Sequence, residues 1–197
     1  QEGMLFQSLY NPDSKIYFEQ CSYRIKGKLN IQVVEKCFNK LFDRHTVLRT
    51  VFVNDIGNRP LQVVLSTCKP AFSFEKIQYS NDTERYLDEL KSRDRQRLFK
   101  LSEAPLMRLH VVELGDEMYE FVWSHQHILM DGWCMGIILH EFTLLYSAQI
   151  SKQQLSLPPV KPYSDYIVWL EKREKDAAST YWENYLSDYT QQVGLPT

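Results

Sequence analysis

The stretch 118–134, "MYEFVWSHQHILMDGWC", constrains the fold most. Its first half is an apolar run rich in aromatic residues, the composition of a strand. Asp131 and Gly132 then interrupt the pattern, and "GWCMGIILHEFTLLYSAQI" continues with apolar residues at helical spacing. A strand that feeds an apolar-striped helix through a short turn suits a sheet with helices packed on it. Gly115-Asp116 precede the strand and "LMRLHVVEL" lies on their other side, so these two runs are expected to pair as a hairpin.

The rest of the chain alternates in the same way. "EGMLFQSLY" has helical spacing and stops at the turn residues Asn11-Pro12-Asp13. "IYFEQCSYRIKG" reads as a strand ending at Gly27. "NIQVVEKCFNKLFDRH" places Ile31, Val34, Cys37, Phe38, Leu41 and Phe42 on one stripe, with Asn30 in the N-cap position. "LRTVFV" and "PLQVVLS" read as a strand pair turning at Asp55-Ile56-Gly57-Asn58, and "FSFEKIQ" as a further strand. "DTERYLDELKSRDRQRLF" is a charged helix with a solvated face. After the proline-rich link "LSLPPVKP" come two more helices, around "YSDYIVWLEKRE" and "AASTYWENYLS". The expected class is α+β, a mixed β-sheet covered by helices.

Bulk chemistry narrows the partners. With 23 basic and 25 acidic residues the formal charge is −2, without the basic excess that marks nucleic-acid binders. No apolar run approaches the roughly 20 residues of a membrane span. The opening "QEGMLFQSLYNPDSK" has neither the basic start nor the apolar stretch of a signal peptide, and its lack of an initiating methionine suits a piece of a longer chain. Cys21, Cys37, Cys68 and Cys134 are far apart with no CxxC pair, the spacing of reduced thiols, and a cytoplasmic location is expected.

The chemistry-bearing residues concentrate at the turn. If the strand runs through it, His125 and His127 share one face and Gln126 takes the other. Asp131 falls at the N-cap of the following helix, and Gly132 lets the chain turn without a Cβ clash. His127 would then stand beside backbone N–H groups and the positive end of a helix dipole, a setting for a general base and for developing negative charge. The residues alone leave a structural, hydrogen-bonded histidine as a competing reading. No recognised zinc spacing includes the H-x-H pair, Asp131 and His140, and no metal is expected. His45 closes a helix, where terminal carbonyls are within reach. His110 and His140 read as structural. Tyr163, Tyr166, Trp169, Tyr181 and Trp182 have helical spacing and are expected in a core, as is Trp133.

"HQHILMDGWC" resembles the HHxxxDG signature of nonribosomal peptide synthetase condensation domains, with His127 at the second histidine and Gln126 at the first. Three further regions match in order. "QEGMLFQSLYNP" resembles the opening helix motif, and "RHTVLRTVF" at 44–52 resembles RHxxLRTxF. "PYSDYIVWL" at 162–170 resembles the YxDYAxW motif, and "YWENYL" at 181–186 resembles the helix that closes the first lobe.

The resemblance implies a chloramphenicol-acetyltransferase-like, CoA-dependent acyltransferase fold of two lobes in a V with a tunnel between them. Residues 1–197 would be the N-terminal subdomain, with the C-terminal lobe absent after Thr197. The implied reaction joins a donor acyl or peptidyl thioester to an acceptor aminoacyl thioester, forming an amide. Both groups ride on the phosphopantetheine of peptidyl carrier proteins, with an adenylation domain adjacent and no cofactor bound by this lobe. His127 is implied as catalytic, either as proton acceptor or as the group that positions the amine, and Gly132 lies at the reaction centre. Asp131 is implied to pair with an arginine, Arg49 first and Arg44 second, and Gln126 to take a structural place. An epimerase of the same superfamily and a non-catalytic docking lobe are the alternatives. The isolated piece is expected to be inactive.

Overall fold

A computed structural model describes residues 1–53, 60–173, 175–190 and 194. The expected turn at Asp55-Ile56-Gly57-Asn58 lies outside the described residues. The described chain forms two compact units, Gln1–Val160 and Lys161–Thr197.

In the first unit the elements run α1 (Glu2–Tyr10), β1 (Phe18–Lys26), α2 (Ile31–Arg44), a 3-10 turn (Thr46–Arg49), β2 (Thr50–Val53), β3 (Leu61–Val64), β4 (Ala71–Lys76), α3 (Thr83–Gln96), β5 (Met107–Gly115), β6 (Met118–Gln126) and α4 (Gly132–Ser151). Four strands form a sheet in the order β1-β6-β5-β4, and β2 pairs with β3 separately. β6 is antiparallel to both neighbours, whereas β4 and β5 are parallel. The mixed sheet, the β5–β6 hairpin and the β2–β3 pair agree with the sequence reading.

The central position of β6 explains its composition. Every residue from Tyr119 to Gln126 is buried, because helices cover both faces of the sheet. On one face Trp123 packs edge-on against Phe38 of α2 and Phe142 of α4, with ring centroids 5.6 and 5.4 Å away. Its indole N–H donates to the Tyr23 hydroxyl at 2.9 Å, so the one polar atom of the largest core residue is satisfied. On the other face Leu87 and Leu90 of α3 meet Val112, Leu114 and Val122. That side also carries charge. Glu120 accepts from Arg24 and Lys91, and Asp94 accepts from Arg108, Ser124 and Gln20.

Local signals set the helix boundaries. Asn30 Oδ1 accepts from the Val33 N–H at 3.1 Å, satisfying one of the donors left open at the start of α2. The buried residues of α2 are Val34, Cys37, Phe38, Leu41 and Phe42, the stripe expected without its edge residue Ile31.

The second unit contains α5 (Tyr163–Glu171) and α6 (Lys175–Tyr185). Tyr166 stacks on Trp169, and Tyr181 contacts both Trp182 and Tyr185. These rings are exposed, with Trp169 at 51% and Tyr181 at 58%, so the expectation that they form a core is corrected. Helical spacing places rings on one face; it does not supply the layer that would cover them.

Candidate active site

β6 ends at Gln126, one residue short of His127. Phe18, the first residue of β1, pairs with Gln126, so the ladder has no partner beyond it. His127 therefore belongs to the turn, and the conditional expectation that it shares a strand face with His125 does not hold. The turn is fastened by its backbone. His127 N–H donates to the Tyr17 carbonyl at 2.8 Å and to Gln126 Oε1 at 3.1 Å, and the Leu129 N–H reaches the Gln126 carbonyl at 2.9 Å.

The three residues between His127 and Asp131 are anchors. Ile128, Leu129 and Met130 are buried and belong to the main core. Their burial fixes the path of the turn, and the Met130 carbonyl lies 3.0 Å from His127 Nδ1. A carbonyl only accepts, so Nδ1 carries the hydrogen of the neutral ring and the lone pair sits on Nε2. Nε2 has no hydrogen-bond partner among the described residues, and the side chain is partly exposed. The result is an oriented imidazole with its basic nitrogen uncommitted.

Asp131 caps α4. Its Oδ1 accepts from the Cys134 N–H at 3.0 Å. Hydrogen bonds from Cys134, aided by the Trp133 N–H and the nearby His127, hold the carboxyl below the ordinary carboxylate range. Asp131 is exposed and makes no pair with either candidate arginine. Arg49 donates to the carbonyls of Phe42, Leu65 and Ser66, each at 2.8 Å, and so clasps the end of α2 to the segment after β3. Arg44 is bidentate on Glu141 of α4 and also reaches the Pro158 carbonyl. The expected Asp131–Arg49 pair is thus corrected: both groups are satisfied locally, one by a helix terminus and the other by three carbonyls.

Gly132 is exposed, and an added Cβ would meet nothing within 4 Å. The described lobe does not require a glycine there, which corrects the tight-turn argument. Trp133 is 88% exposed, against the expectation of core packing. Gln126 is buried and turned away from the α2–α4 side by strand alternation; its side-chain Oε1 accepts from the His127 N–H.

His125 faces the α2–α4 side and is 6% exposed. Burial, with a contribution from His127, pushes its pKa down to about 4, so it is neutral near pH 7. Its Nδ1 has no hydrogen-bond partner among the described residues. His45 meets Glu141 through Nε2 at 2.6 Å, not the helix carbonyls expected of its side chain.

Sequence reasoning missed the contributions of Tyr17, Met130 and Glu141. Tyr17 and Met130 act through backbone carbonyls, which leave no side-chain signature. Glu141 lies 96 residues from His45 and 97 from Arg44, so no local pattern joins them.

The family profile described as "Condensation domain" matches residues 1–197. Surfactin synthase subunit 3 of Bacillus subtilis (strain 168) is 41% identical over 197 residues, covering 98% of this chain and 15% of that protein. Bacitracin synthase 3 of Bacillus licheniformis is 38% identical over 196 residues, covering 100% of this chain and 3% of that protein. The starter condensation domain of rhizomide synthetase superposes with a TM-score of 0.84 at 19% identity, covering 96% of this chain and 47% of that one. The epimerization domain from the third module of tyrocidine synthetase B superposes with a TM-score of 0.80 at 19% identity, covering 97% and 45%. The chain spans a small fraction of its curated relatives and under half of these solved domains, whose likeness concerns the fold, the CoA-dependent acyltransferase fold. By the match over its full length, the chain belongs to the condensation domain family.

Proposed function

We propose that this chain contributes the histidine-bearing half of a domain that forms amide bonds between carrier-tethered groups in nonribosomal peptide synthesis. The observation that carries this reading is the orientation of His127, with Nδ1 committed to the Met130 carbonyl and Nε2 open. Attack of an amine on a thioester produces a zwitterionic tetrahedral intermediate whose ammonium must lose a proton. His127 Nε2 accepts that proton, and the amide forms as the thiolate leaves. The turn holds the ring, so the amine meets a base already aimed.

The partners under this reading are a donor and an acceptor peptidyl carrier protein, a second lobe that closes the tunnel, and an adjacent adenylation domain. Phosphopantetheine arrives with the carriers, and the lobe binds no cofactor of its own. The setting is cytoplasmic. Among the described residues, no helix is long and apolar enough to cross a membrane.

The likeness to an epimerization domain keeps stereochemical inversion as the second reading. One experiment separates the two. The chain, completed by a second lobe, is mixed with two loaded carrier proteins, and the tethered products are analysed by mass and stereochemistry. A new amide on the acceptor carrier is expected. An inverted aminoacyl centre with no amide would establish epimerisation instead. Carrier binding with neither product would leave only docking.

A further inference from the structure

A second cluster of reactive groups lies on the α3 side of the sheet, on strands the turn does not use. Ser73 and Glu75 of β4 are two residues apart, so alternation puts both side chains on one face. His110 of β5 is the register partner of Ser73. Ser73 Oγ lies 2.5 Å from His110 Nδ1, and His110 Nε2 lies 2.9 Å from Glu75 Oε1.

We propose that Ser73, His110 and Glu75 form a nucleophilic site that takes activated acyl esters, separate from His127. The tautomer follows from the partners. The Glu75 carboxylate accepts the Nε2–H, which leaves the Nδ1 lone pair facing the Ser73 hydroxyl. That is the order nucleophile, base, orienting carboxylate. The Tyr86 hydroxyl of α3 also interacts with Glu75. Exposure is graded in the useful direction. Ser73 is exposed, whereas the His110 and Glu75 side chains are 24% and 33% exposed.

The backbone supplies a donor. Among the described residues β4 is an edge strand, and the N–H of Ile77, just past its end, donates to the Glu113 carbonyl of β5. Parallel-ladder alternation then turns the N–H of Phe74, the residue after the nucleophile, toward the free edge. Charge developing on a carbonyl oxygen attacked by Ser73 has this donor nearby along the chain. In the reaction, the Ser73 O–H breaks and its proton passes to His110 Nδ1 as the Oγ–carbon bond forms. The ester C–O bond then breaks, the alcohol leaves with the proton from His110, and an acyl-serine remains.

The test is to incubate the 197-residue protein with p-nitrophenyl acetate and map acetylation by peptide mass spectrometry. Ser73 is expected to be acetylated ahead of the exposed control Ser66. His110→Gln should slow it about 100-fold, the lower range for a general base, and Glu75→Gln should slow it by a smaller factor. Melting curves of all variants establish that they remain folded, and Glu75→Gln serves if His110→Gln does not. Acetylation of Ser73 no faster than that of Ser66, or a rate indifferent to both substitutions, overturns the proposal. The labelling needs neither carrier proteins nor a second lobe, so its outcome is separate from that of the amide-forming reading.

Discussion

His125 and His127 are separated by one residue, yet strand and turn give them different chemistry. His125 is sealed on the sheet face, whereas His127 hangs from the turn with one nitrogen fixed and the other open. The buried ring has a measurable consequence. Its folded pKa of about 4 lies below the ordinary value of 6.5, so between these values the unfolded chain binds a proton that the folded chain refuses. The contribution is fully present above pH 6.5 and is lost as pH falls, up to about 3 kcal/mol near pH 4. Asp131 and Glu141 are both held below the ordinary carboxylate range, so they act at lower pH. Denaturant melts between pH 7 and 5 should show stability falling with acid, and His125→Phe should flatten that slope. An unchanged slope would mean that His125 is protonated in the folded protein.

At the scale of elements, what the sequence made legible was local. Asn30 and Asp131 were readable as caps because a cap lies within three residues of the N–H it serves. Replacing Asn30 by alanine should cost about 1 kcal/mol in a melting experiment, with exchange of the first α2 amides accelerated; unaltered exchange there would show that the cap contributes nothing. The end of β6 was not legible, because a strand stops where its neighbour stops, and β1 begins opposite Gln126. The fate of the arginines was equally hidden. Arg44 and Arg49 sit in one motif, yet one meets a carboxylate on α4 and the other meets three carbonyls. Charge pairing is decided by the packing of distant elements, not by spacing along the chain.

For the whole molecule, the sequence reading recovered a mixed sheet covered by helices; that the helices lie on both faces and that β6 is an interior strand came from the structure. It failed where a face is left open. Trp133 and the rings of α5 and α6 have core-like composition and exposed positions. Apolar periodicity reports a preference for burial and says nothing of which surface satisfies it. The architecture nevertheless converges on one ring, since the strand, three apolar anchors and a capped helix all fix the turn that carries His127. The decisive measurement is the single-turnover rate of amide formation between two loaded carriers, with the second lobe present, for His127→Gln and His127→Ala. Glutamine keeps hydrogen-bonding capacity but cannot accept the proton, so both variants should fall by about 100-fold or more. A glutamine variant that retains the unsubstituted rate would contradict proton transfer to His127 as the basis of the reaction.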